Sequence, residues 1–108
     1  MATSDAYANL PTHPGEIIKK ELQRRGISQR RVAIETTISP SQLNELINCK
    51  RPLTAEMAIL LGRALDLDPE PLLTLQVKYD IEFAQRNRAF LIRMKRVLKI
   101  EDEAPQDA

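Results

Sequence analysis

Residues 28–51 read SQRRVAIETTISPSQLNELINCKR, a stretch with the pattern of two short helices joined by a tight turn. Helix-start signals coincide at Ser39-Pro40-Ser41-Gln42. The Ser39 hydroxyl suits an N-cap, where it accepts a bond from an unpaired first-turn N–H. Pro40 at the first helical position gives up an N–H that has no partner there, and its φ is already helical. Gln42, three residues after Ser39, can reach back to complete a capping box. Leu43, Leu46 and Ile47 repeat at i, i+3, i+4 and define an inward face. Ser41, Gln42, Asn44, Glu45 and Asn48 are left facing outward, flanked by Arg30, Arg31, Lys50 and Arg51. Short hydrogen-bonding side chains bordered by cations suit the base edges and phosphates of a DNA major groove. The pattern predicts a helix-turn-helix over residues 28–48. In its first helix Ser28 is the N-cap, and Val32 and Ala33 point inward, the small alanine permitting a close crossing. Gln29 lies in the first turn, where side chain and backbone N–H together can clamp a phosphate.

The rest of the chain supplies a support for this motif. At 108 residues there is room for one domain with a modest core. β-Branched runs and hairpin turn pairs are nearly absent, which favours an all-α fold. No apolar run approaches the ~20 residues of a membrane span. The amino-terminal residues MATSDAYANLPT lack the pattern of a signal peptide, so the expected location is cytoplasmic, with no membrane partner. Cys49 is the single cysteine and His13 the single histidine. That excludes a disulfide framework and a clustered ligand set, and predicts no metal and no cofactor. His13 is read as a structural residue at a helix start.

Net charge is only +1, but it is segregated along the chain. Residues 13–54 hold eight Lys/Arg against four Asp/Glu, whereas residues 55–83 hold two against six. Residues 84–100 carry six basic residues and no acid, and the last eight residues carry four acids. A basic half set against an acidic one would orient a domain on a polyanion.

Residues 1–12 are expected to be a flexible arm and residues 13–84 the helix-turn-helix domain. Its first helix starts at His13-Pro14-Gly15-Glu16, buries Ile17, Ile18 and Leu22, and ends at Gly26 as a left-handed cap. A fourth helix follows the N-cap Thr54 and buries Met57, Ala58, Leu61, Ala64 and Leu65. A fifth begins at Asp68-Pro69-Glu70, with a stripe of Leu72, Leu73, Val77, Ile81 and Ala84. Residues 85–100 form a basic amphipathic helix or an extension of the fifth, with Phe90, Leu91, Met94, Val97 and Leu98 along one side. These apolar residues exceed what a five-helix core requires. Whether residues 85–100 pack on this domain or on a partner stays open at this level; with Leu72, Val77 and Ile81 their apolar residues are the expected dimer or partner interface. Residues 101–108 read as a disordered acidic tail.

Two blocks, HPGEIIKKELQRRGISQ at 13–29 and SPSQLNELIN through LTAEMAILLGRALDLDPEPLLTLQVKYDIE at 39–82, resemble the HigA-type antitoxins of the lambda-repressor-like (Xre) helix-turn-helix group. The resemblance covers about residues 12–83 and rests on the paired HPGE start and LQ-x-x-YD ending. It implies a five-helix lambda-repressor-like DNA-binding domain, here with an additional C-terminal amphipathic helix or helix extension. It also implies a homodimer that represses its own operon and neutralises a HigB-type toxin, a RelE-like mRNA endonuclease. By that resemblance Gln29 touches phosphate, and Pro40, Ser41 and Glu45 lie where recognition-helix residues meet bases. Gln42 and Asn44 support base or phosphate contacts, and Lys50 and Arg51 anchor the backbone. Arg30, Ser39 and Asn48 complete the expected surface, and the toxin is expected on the N-terminal arm and the first helix.

The chain departs from the family pattern at Thr37 and Cys49, where glycine is usual. A β-branched residue at positive φ is costly, so the turn is either rebuilt or strained at Thr37. Two other readings remain open at this level: a stand-alone Xre-type regulator without a toxin, and a protein-interaction module that has lost DNA binding. Catalysis is not expected, since there is no phosphate-cradling glycine loop and no carboxylate pair with a defined partner.

Overall fold

The computed structural model describes residues 10–103. They form six helices and, among the described residues, no strand: α1 (Pro14–Arg25), α2 (Gln29–Thr36), α3 (Pro40–Ile47), α4 (Ala55–Leu65), α5 (Pro69–Gln85) and α6 (Arg88–Lys95). The all-α expectation holds. Each helix begins at a side chain that accepts a first-turn backbone N–H: His13, Ser28, Ser39, Thr54, Asp68 and Asn87. Proline opens α1, α3 and α5 at the position where a missing N–H costs nothing. Gly26 closes α1 at φ 66°, the left-handed cap expected of it.

Ile18, Leu43, Leu46 and Leu61 are fully enclosed at the centre, with Val32, Ala58, Leu65 and Leu72 around them. Enclosure of each large aliphatic side chain is worth roughly 1.5–3 kcal/mol. α1 and α2 pack against α3 from behind, α4 packs on α2, and the polar face of α3 is left outside. α5 packs across α4 and α1. Several sequence expectations shift. Ile17 is over one-third exposed and Ala64 is exposed, because each lies at the edge of its apolar stripe. Leu72 belongs to the core and not to an external interface, while Val77 and Ile81 are more than half exposed. The buried face of α5 is rotated away from them and runs through Leu72 and Gln76.

The expected helix over 85–100 is shorter and separate. Arg86 and Asn87 interrupt it, and the Asn87 carboxamide accepts the Phe90 N–H at 3.0 Å to start α6 afresh. Residues 97–103 are not helical, and Leu98 is 81% exposed. The arm at 1–12 and the tail at 101–108 fall mostly outside the described residues.

The two motif ends meet behind α3. Gly15 lies so close to α3 that a methyl group there would stand 1.8 Å from the Leu46 carbonyl oxygen. His13 is buried, and its Nδ1 accepts the Gly15 N–H at 2.9 Å. The edge of its ring meets Tyr79 of α5, with centroids 4.8 Å apart. Buried Gln76 accepts the Leu53 N–H at 2.7 Å and donates to Asp80 at 2.8 Å, tying the α3–α4 loop to α5. These contacts give the HPGE and LQ-x-x-YD residues a structural purpose.

Two measurements check this corner. Gly15→Ala drives a methyl into backbone and is expected to cost about 3 kcal/mol in urea unfolding; an unchanged midpoint would refute the close approach. Burial holds the His13 imidazole below its ordinary 6.5, against the opposing influences of Asp80, the hydrogen bond to the Arg51 backbone and Glu16. The folded state therefore binds fewer protons than the unfolded state. The contribution is complete above about pH 6.5 and lost as pH falls through the lowered folded value. Replacing the cap by His13→Asn should flatten the fall in stability over that acidic window.

Candidate nucleic-acid interface

α3 stands on Leu43, Leu46 and Ile47, all buried, and this fixes which side faces outward. Pro40, Ser41, Gln42, Asn44, Glu45 and Asn48 are exposed together on that side, as the periodicity predicts. At the helix start, Ser39 Oγ accepts the Gln42 N–H at 3.1 Å, one half of the expected capping box. The return bond from the Gln42 side chain is not made among the described residues, so that amide is available to a ligand. Ser39 Oγ also lies 3.4 Å from Ser41 Oγ.

α2 crosses beside α3. Ser28 caps it by accepting the Arg31 N–H at 3.1 Å. Gln29, half-buried, follows at the first helical position, where its backbone N–H has no partner within the helix. Arg31 pairs with Glu35 along α2, whereas exposed Arg30 forms no ion pair among the described residues. The side chain of Asn48 donates to the Asn44 carbonyl at 2.9 Å, so its first task here is to close α3.

The loop after α3 contributes two cations with different standing. Lys50 is exposed and forms no ion pair among the described residues. Arg51 instead turns back onto the helix, with Nε and Nη2 3.1 and 3.0 Å from Glu45 Oε1. A spacing of six residues lies outside the usual i,i+4 helical pairing, so sequence periodicity does not reveal this contact. The Gln76 anchor was missed as well. Its signal is a polar residue in the middle of an otherwise apolar stripe on α5.

Both departures from glycine are kept in left-handed backbone, with Thr37 and Cys49 at φ 61°. Asp66 adopts the same conformation after α4. At the turn, buried Thr36 relieves some cost by donating to the Val32 carbonyl and accepting the Ile38 N–H. The Cys49 N–H bonds to Leu46 and the Lys50 N–H to Glu45, completing the cap of α3. Partial burial, reinforced by Glu16, pushes the Cys49 thiol above its ordinary value and keeps it protonated and unreactive at neutral pH. Among the described residues, no cluster of His, Cys, Asp or Glu is able to hold a metal ion. No helix there is long and apolar enough to cross a membrane.

The helix-turn-helix family model matches residues 18–72. Virulence-associated protein I of Dichelobacter nodosus is 35% identical over 77 residues, covering 70% of this chain and 71% of that relative. The chain belongs to the Xre-like helix-turn-helix family. Its structural neighbours place it with the HigA-type antitoxins of that family. An addiction module antidote protein of the HigA family from Coxiella burnetii is 31% identical with a TM-score of 0.70, over 83% of this chain and 98% of that one. Antitoxin HigA of Pseudomonas aeruginosa, solved with the higBA promoter, is 30% identical with a TM-score of 0.71, over 82% and 96%. Members of this family bind DNA, and α3 is the second helix of the motif.

The strain at Thr37 is measurable. A left-handed conformation costs an L-residue roughly 1–2 kcal/mol, partly offset by the flexibility glycine adds to the unfolded chain. Thr37→Gly should therefore raise stability by about 0.5–1 kcal/mol in urea titration, and a fall in midpoint would contradict the strain.

Proposed function

We propose that this protein is the antitoxin of a type II toxin–antitoxin module. In this reading it acts as a homodimer that represses its own operon, and it binds and neutralises a HigB-type, RelE-like mRNA endonuclease. The observation that carries the reading is the exposed polar face of α3, bordered by Arg30 and Lys50, in a chain whose structural neighbours include a HigA solved with promoter DNA. Pro40, Ser41, Gln42, Asn44 and Glu45 meet base edges. Gln29, Arg30, Ser39 and Lys50 hold phosphates, and Asn48 and Arg51 support the helix that reads.

One recognition helix reads few base pairs, and two of them about 34 Å apart read a palindrome. The second copy docks on Val77 and Ile81 of α5 and on Phe90, Leu91 and Met94 of α6, with Val97 and Leu98 extending the surface. α6 has eight residues and none of them is buried. A helix that short is marginal by itself in water, so a partner surface supplies the burial it lacks. The toxin docks on the outward side of α1, away from α3. Its exposed ion pairs, Lys20 with Glu16 and Arg24 with Glu21, present both signs of charge there.

A tagged pull-down with mass spectrometry is expected to recover a small basic protein encoded beside this gene in stoichiometric amount; an empty pull-down leaves a stand-alone regulator. On upstream DNA, Arg30→Ala with Lys50→Ala should weaken binding to all sequences and flatten the salt dependence by about 0.9 for each phosphate no longer neutralised. Ser41→Ala should relax discrimination at one or two base pairs. An unchanged sequence preference for that variant would move the reading face elsewhere.

A further inference from the structure

The ion pair between Glu45 and Arg51 has an unusual position. Glu45 stands in the middle of the outward face of α3, and Arg51 reaches it from the loop behind. Both donors of Arg51 go to one carboxylate oxygen, Oε1. Glu45 Oε2 and Arg51 Nη1 form no hydrogen bond among the described residues, so the pair keeps a carboxylate oxygen and a guanidinium nitrogen in reserve. The two side chains are 47% and 36% exposed, at the boundary with water, where such a pair can open. Their backbones cannot drift apart. The Lys50 N–H is bonded to the Glu45 carbonyl at 2.8 Å, and the Leu53 N–H is held by buried Gln76.

A polyanion meets this pair differently from Arg30 or Lys50. Closed, it carries no net charge and gives phosphate little to hold. Opened against arbitrary sequence, it frees a guanidinium for the backbone but leaves a carboxylate in a strongly negative field. Only a hydrogen-bond donor on a base compensates that carboxylate. In the major groove a carboxylate is best matched by the cytosine N4 amine.

We propose that Glu45 and Arg51 form a specificity latch that withholds Arg51 from the phosphate backbone until a cytosine amine engages Glu45. The inference rests on α3 being the DNA-reading helix. It makes Glu45 a discriminating residue twice over, by accepting from the correct base and by restraining a cation that would otherwise bind any sequence. Non-specific binding is thereby kept weak in a protein whose interface also carries unpaired cations.

The test is Glu45→Gln, which keeps shape and removes charge. Binding is followed by fluorescence anisotropy on the upstream operator and on an unrelated duplex, across a range of salt. The unrelated duplex should bind about fivefold more tightly, with a salt slope steeper by about 0.9 as Arg51 neutralises one further phosphate. The preference for operator should fall correspondingly. Adding Arg51→Ala to Glu45→Gln should return the slope to that of the unmodified protein. A rise in affinity cannot arise from misfolding, and a rise that persists in the double variant would reflect only the relief of carboxylate–phosphate repulsion and would overturn the latch. If Glu45→Gln leaves the unrelated duplex unchanged while Lys50→Ala still weakens it, the latch is wrong and the DNA-reading face stands. If the unmodified protein shows no salt-dependent binding to either duplex, both fall.

Discussion

The first turn of α1 and the last turn of α3 touch backbone to backbone, and no side chain at residue 15 larger than hydrogen fits between them. The position of α3 follows from that contact. Pro14 and His13 start α1 at a fixed place, Gly15 lets it press on the Leu46 carbonyl, and Leu43 and Leu46 seat α3 in the core. Tyr79 covers His13 from α5, and Gln76 holds the loop that leaves α3. Elements from three distant parts of the chain thus converge behind α3 and aim its polar face outward. Each buried polar side chain in this corner has a partner, as low-dielectric surroundings require.

Electrostatics divides the surface into pairs that hold each other and cations that remain free. Along α1, Glu21 binds both Arg24 and Arg25, and Glu16 binds Lys20. Exposed pairs of this kind contribute little to stability, but they remove charge from the side where DNA is not expected. Around α3, Arg30 and Lys50 form no ion pair among the described residues, while Arg51 is held by Glu45. Segregation of charge along the sequence therefore becomes, in three dimensions, a finer distinction between exposed cations without an ion pair and one that is held.

The carboxy-terminal half follows another logic. α5 uses Leu72 and Gln76 to close the domain and leaves Val77 and Ile81 in water. α6 adds Phe90, Ile92 and Met94 to the exposed apolar surface, and Val97, Leu98 and Ile100 extend it beyond the helix. Exposed apolar groups this numerous on two consecutive elements are the mark of an association surface. The domain closes without them, which leaves them available for the association proposed above.

Local chemistry made much of this legible in advance. Capping serines, threonine and aspartate, first-position prolines and the Leu43-Leu46-Ile47 stripe placed every helix of the domain and the outward residues of α3, because caps and periodicity are short-range properties. The sequence left open whether Thr37 and Cys49 keep the left-handed backbone of the glycines usual there, and the structure shows that both do. Other features depend on residues far apart in sequence. Leu72 entering the core and Val77 and Ile81 leaving it were decided by how α5 lies across α1 and α4. So were the engagement of Gln76 with Leu53 and of Tyr79 with His13. The restraint of Arg51 by Glu45 depends on the path of the loop between them, which packing against α5 sets. The helices, their caps and the polar face of α3 were set locally, since each follows from neighbours within one or two turns. Which cations on that face are free was set by the packed fold, because that depends on which side chains the helices bring within hydrogen-bonding reach.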